Sequence, residues 1–333
     1  MTPNHHSWHG VILAFVTLPP VLFALYFFSQ FPRVPDAIEI HPSLASLSAS
    51  HRVVQIYPED IYEGGAYFDT PHGRTRYWLV GPQKGKKVVL IHGLSIPSIV
   101  WKDVVAVLTG KGYRVLVYDL YGRGYSDAPA TTYDAALYAT QLALLMQHVK
   151  WDKAYVAGLS MGGGIATAFS TWFPHLVDGK VALIASAGLI QPSEMSRTTR
   201  FMSSPLVQAA ADSFPGRMYM QRMADSSHSN PIMELLRIQS AYLKGYNSAI
   251  ASSLRDGPIR GLEWAFQSLA SSDNDVLLIW GTDDDTVPYR HAGVMNKMIP
   301  RSKLVTIDGA GHDLTIAHPE VVGGALADFF KAK

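Results

Sequence analysis

Short, mostly apolar runs at 88–91, 114–118, 154–157, 181–186, 276–280 and 303–307 punctuate this chain, and helix-like stretches near 101–110, 133–149 and 161–173 alternate with them. A continuous apolar run of that length marks a strand buried on both faces, because an exposed face would require alternation with polar residues. Such strands, separated by helices, predict a mostly parallel sheet layered by helices on both sides. One earlier segment reads differently. Tyr67–Trp78 carries a Pro71-His72-Gly73 turn between two strand-like halves, which predicts a hairpin. A chain of 333 residues could form one large α/β domain or two small ones, and the spread of the motifs over most of it favours one domain with an insert.

The run Ala154-Tyr155-Val156-Ala157 leads into Gly158-Leu159-Ser160-Met161-Gly162-Gly163. A G-x-S-x-G sequence between strand and helix is a nucleophile elbow, in which small residues leave room for a tight turn that projects the serine hydroxyl above the sheet. That hydroxyl reacts only when a histidine takes its proton and a carboxylate fixes the histidine's tautomer. On a doubly wound sheet both partners follow the serine, acid first, in loops at the carboxyl ends of later strands. Val276–Trp280 ends in Gly281-Thr282-Asp283-Asp284-Asp285-Thr286-Val287-Pro288, and Lys303–Ile307 ends in Asp308-Gly309-Ala310-Gly311-His312-Asp313. His312 is the predicted base; its rival His318 precedes Pro319 at the start of the last helix and reads as a surface residue. The three aspartates remain open candidates for the acid. They do not read as a metal site, since calcium loops draw oxygens from alternating positions. The strand 88–91 is followed by His92-Gly93-Leu94-Ser95. The backbone amides of Leu94 and Met161 are the predicted oxyanion donors, the second at the amino end of a helix whose dipole favours negative charge. His92 reads as a structural hydrogen-bonder.

In this order, His92-Gly93, Asp119-Leu120-Tyr121-Gly122-Arg123-Gly124-Tyr125-Ser126, the elbow, Gly281 to Pro288 and Gly311-His312 resemble the α/β-hydrolases from about Tyr67 to the carboxyl terminus. The resemblance implies an α/β-hydrolase fold: a mostly parallel, doubly wound eight-stranded sheet with a helical cap inserted after the sixth strand. Family spacing selects Asp284 as the acid, so the implied catalytic residues are Ser160, Asp284 and His312. It also makes the Asp119–Ser126 segment a structural loop, leaving Asp119 and Ser126 outside catalysis. Haloalkane dehalogenases and epoxide hydrolases of this fold place an aspartate at the elbow, so Ser160 excludes their mechanism. Esters, lipids, thioesters, lactones and activated carbon–carbon bonds remain. No cofactor is implied.

The chain has no cysteine, which removes disulfides and thiolate chemistry, and its net charge of +1 gives no sign of a nucleic-acid partner. Gly10–Phe28 is nineteen residues without a charge, roughly 28 Å as a helix, and predicts a membrane anchor within residues 1–30. Arg33 and Arg52 on its carboxyl side place the catalytic domain in the cytosol, with a secreted protein as the alternative. This layout resembles the monoacylglycerol-lipase-like membrane hydrolases. Residues 31–60 read as a linker that lies along the membrane or packs on the domain, 61–189 and 256–333 as the hydrolase core, and 190–255 as the cap. The cap holds six of the eleven methionines. Flexible, polarizable side chains suit an irregular apolar ligand, or simply glue helices to the core. The expected function is hydrolysis of a lipophilic ester. The alternatives are a thioesterase or carbon–carbon hydrolase with the same triad, and a binding protein on the same scaffold. Oligomeric state is not legible.

Overall fold

The computed structural model describes residues 6–29, 37–224 and 230–332. Contacts divide the chain into two units, Met1–Ile38 and Glu39–Lys333. In the larger unit eight strands form one sheet: β1 (Gly65–Thr70), β2 (Gly73–Val80), β3 (Lys87–Ile91), β4 (Arg114–Tyr118), β5 (Ala154–Leu159), β6 (Val177–Ile184), β7 (Asp275–Gly281) and β8 (Lys303–Ile307). Their order is β8-β7-β6-β5-β3-β4-β2-β1. Only β2 runs against its neighbours β1 and β4; every other pair in the sheet is parallel. The expected hairpin is the β1–β2 pair, in which Thr70 faces Gly73 across Pro71 and His72.

Burial follows the apolar runs. Val88 to Ile91, Val181 to Ile184 and Leu278 to Trp280 are inaccessible, as strands covered on both faces must be. From β3 the chain moves outward to β4, then returns to place β5 on the other side of β3. The connections leaving β3 and β5 therefore diverge, opening a crevice at the carboxyl ends of those two strands. β6 begins earlier than its apolar run suggests, because Lys180 is buried beside β7 and pairs with Asp275 at 3.1 Å. It also ends earlier, where Ala185 turns the chain with φ at 43°.

The helices that flank the sheet include α1 (Lys102–Gly110), α2 (Ala135–His148) and α3 (Met161–Trp172). Asp134 caps α2 by accepting from Leu137 N at 2.8 Å, satisfying one of the donors a helix start leaves orphaned. Between β6 and β7 lie α4 (Arg197–Met202), α5 (Pro205–Asp212), α6 (Phe214–Ala224), α7 (Pro231–Tyr242) and α8 (Tyr246–Asp256), the helical insert after the sixth strand. α9 (Glu263–Ser271), α10 (Arg290–Met298), α11 (Leu314–Ala317) and α12 (Pro319–Lys331) complete the chain. Ahead of the sheet, Leu44, Val53 and Tyr57 are buried in the same core, so this stretch packs on the domain. Leu44–Ser46 is a single 3-10 turn.

In the smaller unit His6–Ser29 is a 24-residue helix containing Pro19 and Pro20. Among the described residues no helix is long and apolar enough to cross a membrane. That overturns the single-pass anchor expected at residues 10–28, and with it the membrane localisation and cytosolic topology built on it. Pro19 and Pro20 lie inside this helix, and each removes a backbone donor from its interior. Residues 31–36 of the expected linker, and residues 1–5 and 30 of the expected anchor, lie outside the described residues.

Candidate active site

β5 is buried along its whole length and stops at Ser160, whose backbone takes φ 56° and ψ −121°. That left-handed φ is costly for a residue with a Cβ. Main-chain bonds hold it: Ser160 N donates to Ile184 O at 2.8 Å, and Ser160 O accepts from Ala187 N and Gly163 N at 2.9 Å each. The glycines of the motif are set by close approach. A Cβ on Gly158 would lie 2.0 Å from Gly162 O, and one on Gly162 would lie 2.2 Å from Ile91 O. α3 begins at the next residue, so Ser160 sits at the positive end of a helix.

The loops that follow β7 and β8 meet beside it. His312 Nδ1 and Asp284 Oδ2 are 2.8 Å apart. The Asp284 side chain is inaccessible, and its other oxygen, Oδ1, accepts from Thr286 N at 2.9 Å and Val287 N at 2.8 Å. Both oxygens of this carboxylate thus have fixed donors, which locks its orientation. Asp283 and Asp285 are exposed, and His318 lies at the start of α12. Ser160 Oγ makes no hydrogen bond among the described residues, so serine and histidine share a cavity without a direct bond. Such contacts commonly tighten only when substrate binds.

The loop after β3 runs beside the elbow, where a Cβ on Gly93 would come within 3.3 Å of Ser160 Cβ. Neither the Leu94 nor the Met161 amide donates to a protein acceptor among the described residues, and both residues line the cavity. His92 is inaccessible; Nδ1 donates to Gly93 O at 2.8 Å and Nε2 accepts from Leu120 N at 2.9 Å. Burial holds its pKa down to about 3. The unfolded chain takes up a proton near pH 6.5 that the folded chain refuses, so this contribution to stability is present above that pH and lost as pH falls toward 3. It amounts to on the order of 4 kcal/mol over the full window. Urea denaturation between about pH 7 and about pH 4 is expected to show a steeper loss of stability for the wild type than for His92→Gln. Equal slopes would remove His92 as the source.

Asp119 is inaccessible and accepts from Ser98 N, Tyr125 N and Tyr57 OH at 2.8 Å each, while Ser126 Oγ donates to Asp119 O at 2.6 Å. Both residues brace a loop and neither lines the cavity. Sequence reasoning missed a second cluster. Glu194, at the start of the insert, lines the cavity and accepts from Arg290, with Nε at 3.1 Å, while His291 Nε2 lies 3.2 Å from the same oxygen. Only its position after β6 hinted at it.

The cavity itself measures about 640 Å³. Leu94, Ile96, Val100, Ile190, Met195 and Ile259 supply much of an apolar wall. Among the described residues, its charged or ionisable lining is His312, Glu194, Asp285 and Asp313, with no lysine or arginine.

Comparison with known proteins agrees with this architecture. The alpha/beta hydrolase fold family matches residues 86–319. An uncharacterized protein of Mycobacterium tuberculosis is 29% identical over 263 residues, covering 74% of this chain and 75% of the relative. The 2-hydroxy-6-oxo-2,4-heptadienoate hydrolase of Pseudomonas putida is 26% identical over 267 residues, covering 75% and 90% respectively. Among solved structures, a hydrolase from Pseudomonas aeruginosa aligns with a TM-score of 0.65 at 19% identity, over 81% of this chain and 99% of its own.

Proposed function

Because the chain belongs to the alpha/beta hydrolase fold family, we propose that it is a serine hydrolase of uncharged, lipophilic carboxylic esters that works through an acyl-enzyme on Ser160. The observation that carries the reading is the 2.8 Å contact between His312 and a fully fixed Asp284, in the same cavity as a serine on strained backbone. Ser160 Oγ attacks the ester carbonyl carbon as His312 Nε2 takes its proton, and the carbonyl electrons move onto an oxygen held by the Leu94 and Met161 amides. Collapse of that intermediate breaks the ester bond, and His312 gives its proton to the departing alkoxide. Water then attacks the acyl-enzyme, losing a proton to His312; the acid leaves and Ser160 recovers its hydrogen. Asp284 holds the Nδ1–H tautomer throughout.

Substrate class follows from the lining. An apolar wall of this volume suits an acyl or alkyl chain. A substrate carrying its own carboxylate, such as a dienoate, would meet Asp285 and Asp313, and a Glu194 whose charge Arg290 offsets, with no lysine or arginine among the described lining residues. That weighs against carbon–carbon cleavage of such acids. The purified enzyme is expected to label with a fluorophosphonate probe. It should prefer p-nitrophenyl butyrate to the p-nitrophenyl monoester of succinate by at least about tenfold in kcat/KM, the equivalent of about 1.4 kcal/mol. No labelling of folded protein would sink the serine mechanism, and equal rates would sink the charge argument.

A further inference from the structure

The loop that carries the Leu94 amide is held from outside itself. Leu94 O accepts from Arg123 Nε at 2.8 Å. Ser95 O accepts from Tyr246 OH at 3.1 Å and, at a long 3.5 Å, from Gln239 Nε2. Arg123 is inaccessible; its Nη1 also donates to Tyr121 O at 2.8 Å and Tyr138 OH at 2.6 Å, and its Nη2 to Ser253 Oγ at 2.8 Å. The Tyr133 and Tyr138 rings flank it at 5.6 Å. Gln239, inaccessible as well, accepts from Gly124 N at 2.7 Å. One network therefore joins the Arg123 loop, the Leu94 loop and two helices of the insert, α7 and α8.

The cation in this network has no carboxylate partner among the described residues, and every acceptor it meets is neutral. Desolvating an unpaired guanidinium costs several kcal/mol, which a brace built of neutral side chains would not incur. Its planar fork does what a neutral brace cannot, reaching divergent acceptors at once with fixed angles.

We propose that Arg123, backed by Tyr246 and Gln239, is a positioning residue for the oxyanion site: by holding Leu94 O it fixes the peptide plane on the carboxyl side of Leu94, and so restrains the rotations about Leu94 that would swing its N–H, which lies on the preceding peptide. This inference rests on the serine-hydrolase reading above. Oxyanion donors act only within a few tenths of an ångström of their best position, and a misplacement of about 1 Å costs about 10²-fold in rate. The guanidinium charge also lies behind the loop in a medium of low dielectric, where it favours an anion over a neutral carbonyl. Its field reaches this loop, since it adds to burial in disfavouring protonation of His92.

The test compares Arg123→Lys, Arg123→Met and Tyr246→Phe with wild type. kcat is measured per active site titrated with fluorophosphonate, alongside KM and affinity for an alkyl trifluoromethyl ketone, whose serine adduct bears the oxyanion. Arg123→Met is expected to lower kcat about 100-fold, Arg123→Lys about tenfold and Tyr246→Phe about threefold, with KM changed by less than about threefold. Ketone affinity should fall in step with kcat. A purely structural role would reduce the number of titrated sites and leave both kcat per site and ketone affinity unchanged, and that result overturns the proposal. If both Arg123 variants fail to fold, Tyr246→Phe decides by the same two readouts. A wild type that does not label would instead refute the underlying serine mechanism, so the two failures are distinguishable.

Discussion

Ser160→Ala is expected to lower kcat on p-nitrophenyl esters by about 10⁵- to 10⁶-fold and to abolish fluorophosphonate labelling, with the urea midpoint almost unmoved. The loss is large because, in the proposed mechanism, Ser160 forms the acyl bond, and without it His312 has no nucleophile to activate. Some acceleration over water should survive, about 10³-fold, from the two oxyanion amides and substrate binding. Stability should change by less than about 0.5 kcal/mol. The strained φ of 56° is held by main-chain bonds to Ile184 and Ala187, which alanine keeps, and Oγ has no hydrogen bond among the described residues to lose. A variant retaining more than about a hundredth of wild-type kcat would mean that another residue is the nucleophile.

Asp284→Asn is expected to cost about 10⁴-fold in kcat while leaving the fold in place. The size of the effect comes from the two bonds at Oδ1. Thr286 N and Val287 N both donate to that atom, so the asparagine must put its carbonyl oxygen there. Its NH₂ group then occupies the position of Oδ2 and presents a donor to His312 Nδ1. Histidine answers by accepting at Nδ1 and carrying its proton on Nε2, where it can no longer take one from Ser160. Steady-state kinetics with the same esters, beside circular dichroism, provides the check. A loss below about tenfold would show that the aspartate is not the group that sets the tautomer.

Much of the sheet was legible because central strands are buried on both faces and leave a continuous apolar trace. β4 and β8 match their runs residue for residue. β6 was misplaced because its opening, Val177-Asp178-Gly179-Lys180, is polar and relies on a tertiary ion pair. The elbow and the two late loops were legible for a related reason: glycines and single polar residues stand out at the ends of apolar runs. Nothing in the sequence forecast how the insert is arranged. Leu206, Phe214 and Tyr219 are strongly exposed there, so hydrophobicity on those helices does not report what faces inward. The Arg123 network was hidden more thoroughly. Arg123 sat inside a motif assigned to loop structure, and its partners Leu94 and Ser253 lie 29 and 130 residues away. The apolar count at residues 10–28 pointed to an anchor, whereas among the described residues no helix is long and apolar enough to cross a membrane.

The insert separates Ser160 from Asp284 along the chain, yet two of its helices reach back to the loop after β3. Exchange of this segment between related enzymes is therefore not a neutral graft. A chimaera built on this sheet would inherit the strand-end loops intact and could acquire a new substrate range. It would forfeit Gln239, Tyr246 and Ser253 unless the donor supplied equivalents at the same three places. If Arg123 positions the oxyanion site as proposed, selectivity and turnover are inherited together in this architecture.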